Sequence, residues 1–270
     1  MNLNIICTSK PYDGLLYYSY EYSQYLGVPL IIITHPGFLK EDYIKAIHEK
    51  YTVCRDMYFD DYTPGNEDTL ILGRSMLTLG YLNRHRYNEE QLLTLKMMFS
   101  NKLISVYSEN HPIEYDLALS YFNPKEIIDL CDYDVYPNGV GKHFEKRINF
   151  SIYKEPVLDL QFENLFLGTN QKYYKTIEGL LPTVPGSYSI ITYDDDYVNK
   201  NLNNLFVPIK NLLGIFNTYV YTKPYFDPAP RLIQECMYFG KKILYNRDKS
   251  IRDGGSVYYA REIKDISFEL

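Results

Sequence analysis

Short, unbroken apolar runs separated by stretches of helical spacing dominate this 270-residue chain. Leu3–Cys7, Leu30–Thr34, Leu70–Gly73, Leu103–Ser108 and Ile127–Leu130 are too short for helices and show little polar alternation. Such runs mark strands covered on both faces, as in a parallel sheet. Between them, Leu15–Leu26 reads as a helix stopped by Gly27, and Glu41–Lys50, Glu89–Phe99 and Glu114–Phe122 as further helices. A strand is also expected to begin in Tyr51–Arg55.

The stretch Tyr136–Pro156, with Pro137, two glycines, a charge cluster and Pro156, interrupts this rhythm and reads as a crossover between halves. The alternation restarts with a strand at Leu165–Thr169, a helix from Asn170 and a strand at Ser189–Tyr193. Short strands in Asn211–Phe216 and Thr218–Thr222 follow, then a helix over Pro230–Phe239 and a strand at Lys242–Asn246. Val257–Glu262 is expected to open a terminal helix. The fold class is therefore α/β, with two parallel-sheet domains in tandem, 1–150 and 151–270.

Composition narrows the function. Hydrophobic residues at 46% and charged ones at 23% fit a packed globular chain. A net charge of −6 gives no overall basic excess, so charge alone does not imply nucleic-acid binding. No apolar run reaches the ~18–20 residues of a membrane helix. The opening MNLNIICTSK lacks a secretory layout, so no membrane association and a cytoplasmic location are expected. Cys7, Cys54, Cys131 and Cys236 are scattered without metal-site spacing; no metal is expected, and nothing supports a divalent ion.

The segment Phe226–Gly240 carries the most chemistry. Pro230 suits a first helical turn. Leu232, Ile233, Cys236 and Met237 form an apolar stripe, and Arg231, Gln234, Glu235 and Tyr238 an expected polar one. A helix start beyond a strand's carboxyl end, with Arg231 beside its N–H groups, favours phosphate. Glu235 could accept two hydrogen bonds from a ribose diol. The bland reading is a surface Arg–Glu pair worth tenths of a kcal/mol.

These residues resemble the donor-binding domain of GT-B glycosyltransferases, which pair two Rossmann-like domains across a cleft. Asp227 and Glu235 lie eight residues apart, before Gly240 and an apolar run, as the family's two acidic residues do. Asp227 departs from the usual Glu. The resemblance implies a nucleotide-diphosphate sugar, expected to be a UDP-sugar, as co-substrate, with no permanently bound cofactor. It places Glu235 on the ribose, Asp227 near the donor sugar, Arg231 on the diphosphate, and the turn of Gly168 and Lys172 at the phosphates. It places the Ser9–Gly14 loop, with Asp13 and Gly14, on the acceptor side against the diphosphate, and packs the C-terminal stretch back on the first domain. GxGxxG is absent, which weakens a dinucleotide oxidoreductase reading. Asp13 is also a natural helix N-cap.

Transfer to a hydroxyl needs a base, a stabilised leaving group, or both. Glu109 and His111, following a predicted strand, rank first as catalytic residues and Asp13 next. The tyrosine-rich texture and the PR…E arrangement also resemble phage enzymes that glycosylate hydroxymethylcytosine in DNA. That implies a double-stranded DNA partner carrying hydroxymethylated pyrimidines and work in the host cytoplasm. Arg74, Arg84, Arg86, Lys142 and Lys146 would then meet DNA phosphates; a solvated mixed-charge surface is the plain alternative. A cell-surface glycan or lipid-linked acceptor, and a non-catalytic nucleotide-binding module, are the competing readings. Replacing Glu235 by Ala is expected to raise the donor KM more than tenfold with the fold intact.

Overall fold

The computed structural model describes residues 4–7, 11–34, 37–52, 57–59, 69–73, 89–90, 93, 102–105, 123, 125–130, 142–144, 148–168, 184–192, 212–221 and 231–245. The chain divides into two compact units, Met1–Lys154 and Glu155–Leu270.

The first unit holds β1 (Asn4–Cys7), α1 (Gly14–Leu26), β2 (Leu30–Ile32), α2 (Lys40–Lys50), β3 (Met57–Phe59), β4 (Thr69–Gly73), β5 (Lys102–Ser105), β6 (Glu126–Leu130) and β7 (Lys142–Phe144). Its strands form one sheet in the order β3-β2-β1-β4-β5-β6-β7, parallel at every pairing. This is the order of doubly wound nucleotide-binding sheets with one strand added. The chain steps outward from β1 to β3, returns to place β4 beside β1, and steps outward the other way.

The apolar runs become strands because helices cover them. Ile5, Ile6, Cys7 and Leu30–Ile32 are buried, as are Leu15, Leu16, Tyr18 and Tyr20 of α1 and Tyr43, Ala46 and Ile47 of α2. Asp13 caps α1, its carboxylate accepting from the Leu15 N–H at 3.0 Å. Gly27, at φ 64°, ends it in a left-handed conformation that a side chain would strain. Ahead of α2, the Asp42 carboxylate accepts from the Leu39 N–H at 2.8 Å. In the expected helix at Glu89–Phe99, the described Glu89, Glu90 and Leu93 are helical.

Three expectations need correction. Tyr51 does not open a strand: it ends α2 and forms an isolated antiparallel bridge with Tyr153, and the next described strand is β3 at Met57. The stretch read as crossover contains β7, whose Lys142, His143 and Phe144 pair with Ile128, Asp129 and Leu130. A short run at a sheet edge carries too few apolar residues to stand out from its charged neighbours. Finally, Asn211–Phe216 is not a separate strand; Leu212–Gly214 is a 3-10 turn feeding the strand that starts at Phe216.

The second unit holds β8 (Phe162–Gly168), β9 (Tyr188–Thr192), β10 (Phe216–Tyr221), α3 (Arg231–Tyr238) and β11 (Lys242–Tyr245). Its sheet runs β11-β10-β8-β9, again wholly parallel. Leu165, Phe216, Tyr219, Ile233, Cys236 and Ile243 pack together on one face, and Phe166, Ile190 and Val220 on the other. Neighbouring residues of one strand thus enter opposite cores, which is why these strands show no polar alternation.

Residues 149–154 stay with the first unit. The Glu21 carboxylate, buried on α1, accepts from the Tyr51 hydroxyl at 2.7 Å and from the Asn149 N–H at 3.4 Å. The N–H of Thr52 donates to the Ile152 carbonyl, and that of Lys154 to the Lys50 carbonyl. From Asp159, whose N–H donates to the Gly214 carbonyl, the backbone is tied to the second unit. Among the described residues no helix is long and apolar enough to cross a membrane. The predicted helices from Asn170, over Glu114–Phe122 and over Val257–Glu262 lie outside the described residues.

Candidate functional site

In open parallel sheets a ligand crevice forms where adjacent strands send their chains to opposite sides, beyond the carboxyl ends. In the second unit that point lies between β8 and β10. The chain leaves Gly168, the last residue of β8, toward β9, and leaves Tyr221, the last of β10, toward α3 and β11. Gly168, at the end of β8, and Tyr221, at the end of the strand that leads to α3, therefore flank a single switch point.

At the start of α3 the Arg231 Nε donates to the Glu235 carboxylate at 2.8 Å. Both residues are buried, at 7% and 4% exposure. The expected polar stripe is corrected here: Arg231 and Glu235 face inward with Ile233 and Cys236, while Tyr238 is exposed. One helical turn apart, the two charges neutralise each other, so the helix can bury both. The surface-pair reading is excluded by that burial. An ion pair of this kind contributes little net stability, yet removing one partner leaves a buried charge and costs about 3–5 kcal/mol.

The far end of α3 is structural. The Lys241 ammonium, also buried, donates to the Phe216 carbonyl at 2.7 Å, and burial pushes its pKa down. Burial, reinforced by the Glu235 charge, raises the Cys236 thiol well above its ordinary range. A protonated, enclosed thiol is no nucleophile.

In the first unit the switch point lies between β1 and β4, and the β1–α1 loop leaves from it. Asp13 and Gly14 are both here, Asp13 as the N-cap and Gly14 as the first residue of α1. The Asp13 carboxylate occupies the Leu15 N–H at this helix start. The two helix starts thus differ in charge: a carboxylate at α1, an arginine at α3. Sequence reasoning passed over Tyr12. It sits at φ 62°, in the left-handed region, with its hydroxyl 3.4 Å from a Glu49 carboxylate oxygen. Burial, with the Glu49 charge, pushes its phenol up to about 12. No sequence signal marks Tyr12 as the left-handed residue of the turn.

Lys172, Asp227, Glu109, His111, Arg74, Arg84, Arg86 and Lys146 lie outside the described residues. Lys142 opens β7, opposite Ile128.

No family model matches this chain, and no curated protein matches it. Among solved structures, the crystal structure of the glycotransferase of kitacinnamycin is similar over 92% of this chain and 82% of its own, at a TM-score of 0.38 and 11% identity.

Proposed function

We propose that this chain is a glycosyltransferase that takes a nucleotide-diphosphate sugar, a UDP-sugar in the first instance, in its second unit. One observation carries the reading. The buried Arg231–Glu235 pair stands at the helix start beside the β8–β10 switch point, where a doubly wound sheet receives nucleotide ligands. A buried ion pair contributes little to net stability on its own. Such a pair supports the reading because a cation beside helix N–H groups suits a diphosphate, and a carboxylate one turn further suits ribose hydroxyls.

In the reaction the acceptor oxygen bonds to the anomeric carbon as the bond from that carbon to the diphosphate oxygen breaks. The hydroxyl proton passes to a base, for which Glu109, His111 and Asp13 are proposed. Arg231, with Lys172, offsets the charge gathering on the departing diphosphate. Asp227 is assigned to the donor sugar, and Gly168 lets the backbone approach the phosphates. The proposed site of action is the cytoplasm.

Slow hydrolysis of a sugar nucleotide by the purified protein, followed as released UDP, tests the activity without knowledge of the acceptor. Glu235→Gln keeps the shape and a hydrogen-bond acceptor while removing charge. It is expected to raise the donor KM at least tenfold with secondary structure retained. Nucleotide binding with no release of UDP over days would favour a binding module instead.

A further inference from the structure

We propose that the buried Glu21 carboxylate is a latch that holds the exit segment, residues 149–154, in the packed body of the first unit, and that the flexible joint to the second unit is confined to residues 155–158. The inference uses neither the glycosyltransferase reading nor any ligand.

A carboxylate on the covered side of a helix is costly unless donors reach it. Glu21, on α1, is 2% exposed, and its donors come from far along the chain. The Tyr51 hydroxyl, 30 residues on at the end of α2, donates to one carboxylate oxygen at 2.7 Å. The Asn149 N–H, 128 residues on, donates to the other at 3.4 Å. Burial of this charge is therefore coupled to the docking of the exit segment. Ring packing follows the same route. The Tyr51 ring, fully buried, stacks on Tyr20 of α1 at 4.9 Å and meets Tyr153 of the exit segment edge-on at 5.1 Å. The Lys50 ammonium stands 3.8 Å over the Tyr17 ring and 5.6 Å from the ring of Tyr153.

The backbone marks where the docking stops. On either side of the Tyr51–Tyr153 bridge, the Thr52 N–H donates to the Ile152 carbonyl at 2.7 Å and the Lys154 N–H to the Lys50 carbonyl at 2.9 Å. The Lys154 ammonium adds a bond to the His48 carbonyl. Asn149 holds the turn Phe150–Ile152 from its start, its side-chain carbonyl accepting from the Ser151 N–H at 3.2 Å. Beyond the joint, the N–H groups of Asp159 and Gln161 donate to the Gly214 and Ile215 carbonyls at 3.0 and 2.8 Å. Between these two sets of ties, Glu155, Val157 and Leu158 are exposed. Among the described residues, Glu155 and Leu158 make no hydrogen bond. Chain fixed at both ends and solvated in between absorbs backbone rotation at the least cost.

Amide hydrogen exchange, read residue by residue in the full chain, tests this. In the wild type the Thr52 and Lys154 amides are expected to be protected like those in the middle of α1, and the Glu155 and Leu158 amides to exchange at least about a hundredfold faster. Glu21→Leu removes both acceptor oxygens and keeps an apolar body. It should speed exchange at Thr52 and Lys154 at least about tenfold while α1 stays within about threefold, and Glu21→Gln, which keeps an acceptor, should do less than Glu21→Leu. Should Glu21→Leu fail to fold, Tyr51→Phe keeps the stacked ring, loses the hydroxyl and is expected to speed exchange at Lys154. A Gly-Gly insertion after Pro156 should leave Thr52 and Lys154 protected, and the same insertion after Ile152 should abolish their protection. Unprotected Thr52 and Lys154 in the wild type would overturn the latch, as would protection that Glu21→Leu or Tyr51→Phe leaves unmoved, or acceleration shared equally by α1. Protection of Glu155 and Leu158 matching that of Lys154, or its loss at Lys154 on insertion after Pro156, would overturn the joint.

Discussion

At the scale of single residues, the β1–α1 turn shows how local chemistry and site geometry compete. Tyr12 occupies backbone space that costs an L side chain about 1 kcal/mol or more. Comparing Tyr12→Gly with Tyr12→Ala isolates that cost, since both lose the ring but only Ala keeps the strain. Chemical denaturation should find the Gly variant more stable by about 1 kcal/mol; equal stabilities would show that the turn relaxes. The phenol titrates near 10 when unfolded and near 12 in place, so the native state holds its proton more tightly. Its contribution is present below pH 10 and fades as pH rises toward 12. Stability should therefore fall less steeply across that window in Tyr12→Phe than in the wild type. One residue on, Asp13→Ala should cost about 1 kcal/mol through loss of the cap, and Asp13→Asn close to nothing, both read by thermal unfolding. The cap was legible in the sequence because Asp before a helical run has a local reason to be there. Tyr12 was not, because no residue type in its neighbourhood marks an aromatic as the left-handed position.

Helices and strands were legible to the extent that their signals are local. Gly27 ends α1 where the sequence says it should, since only a left-handed residue terminates the helix this way. The apolar runs of β1, β2 and β10 became strands because both faces are covered. The side of α3 that carries Arg231 and Glu235 was misread because a stripe assigned by residue type cannot register two opposite charges burying one another. The pair supports a sharp expectation. Glu235→Ala removes the carboxylate 2.8 Å from the buried Arg231 Nε and should cost about 3–5 kcal/mol. The double change Arg231→Met with Glu235→Leu should cost less than Glu235→Ala alone, measured by urea denaturation. If the single change proves nearly neutral, water reaches the guanidinium and the pair is less enclosed than its 7% and 4% exposures indicate.

The whole molecule holds two wholly parallel sheets with the strand orders of nucleotide-binding folds. The alternation of strands and helices made this legible. The placement of β7 inside the expected crossover was not, because three residues at an edge, Lys142 to Phe144, read as part of a basic cluster. A nucleotide held by the native second unit stabilises it by mass action, about 2.7 kcal/mol of apparent stability at 100 times Kd. Hydrogen exchange with and without saturating UDP-sugar locates that binding. The account predicts slowed exchange at the carboxyl ends of β8 and β10 and over the first turn of α3, Arg231 to Gln234. Protection confined to the loops beyond β1 and β4, or no protection anywhere, would contradict it.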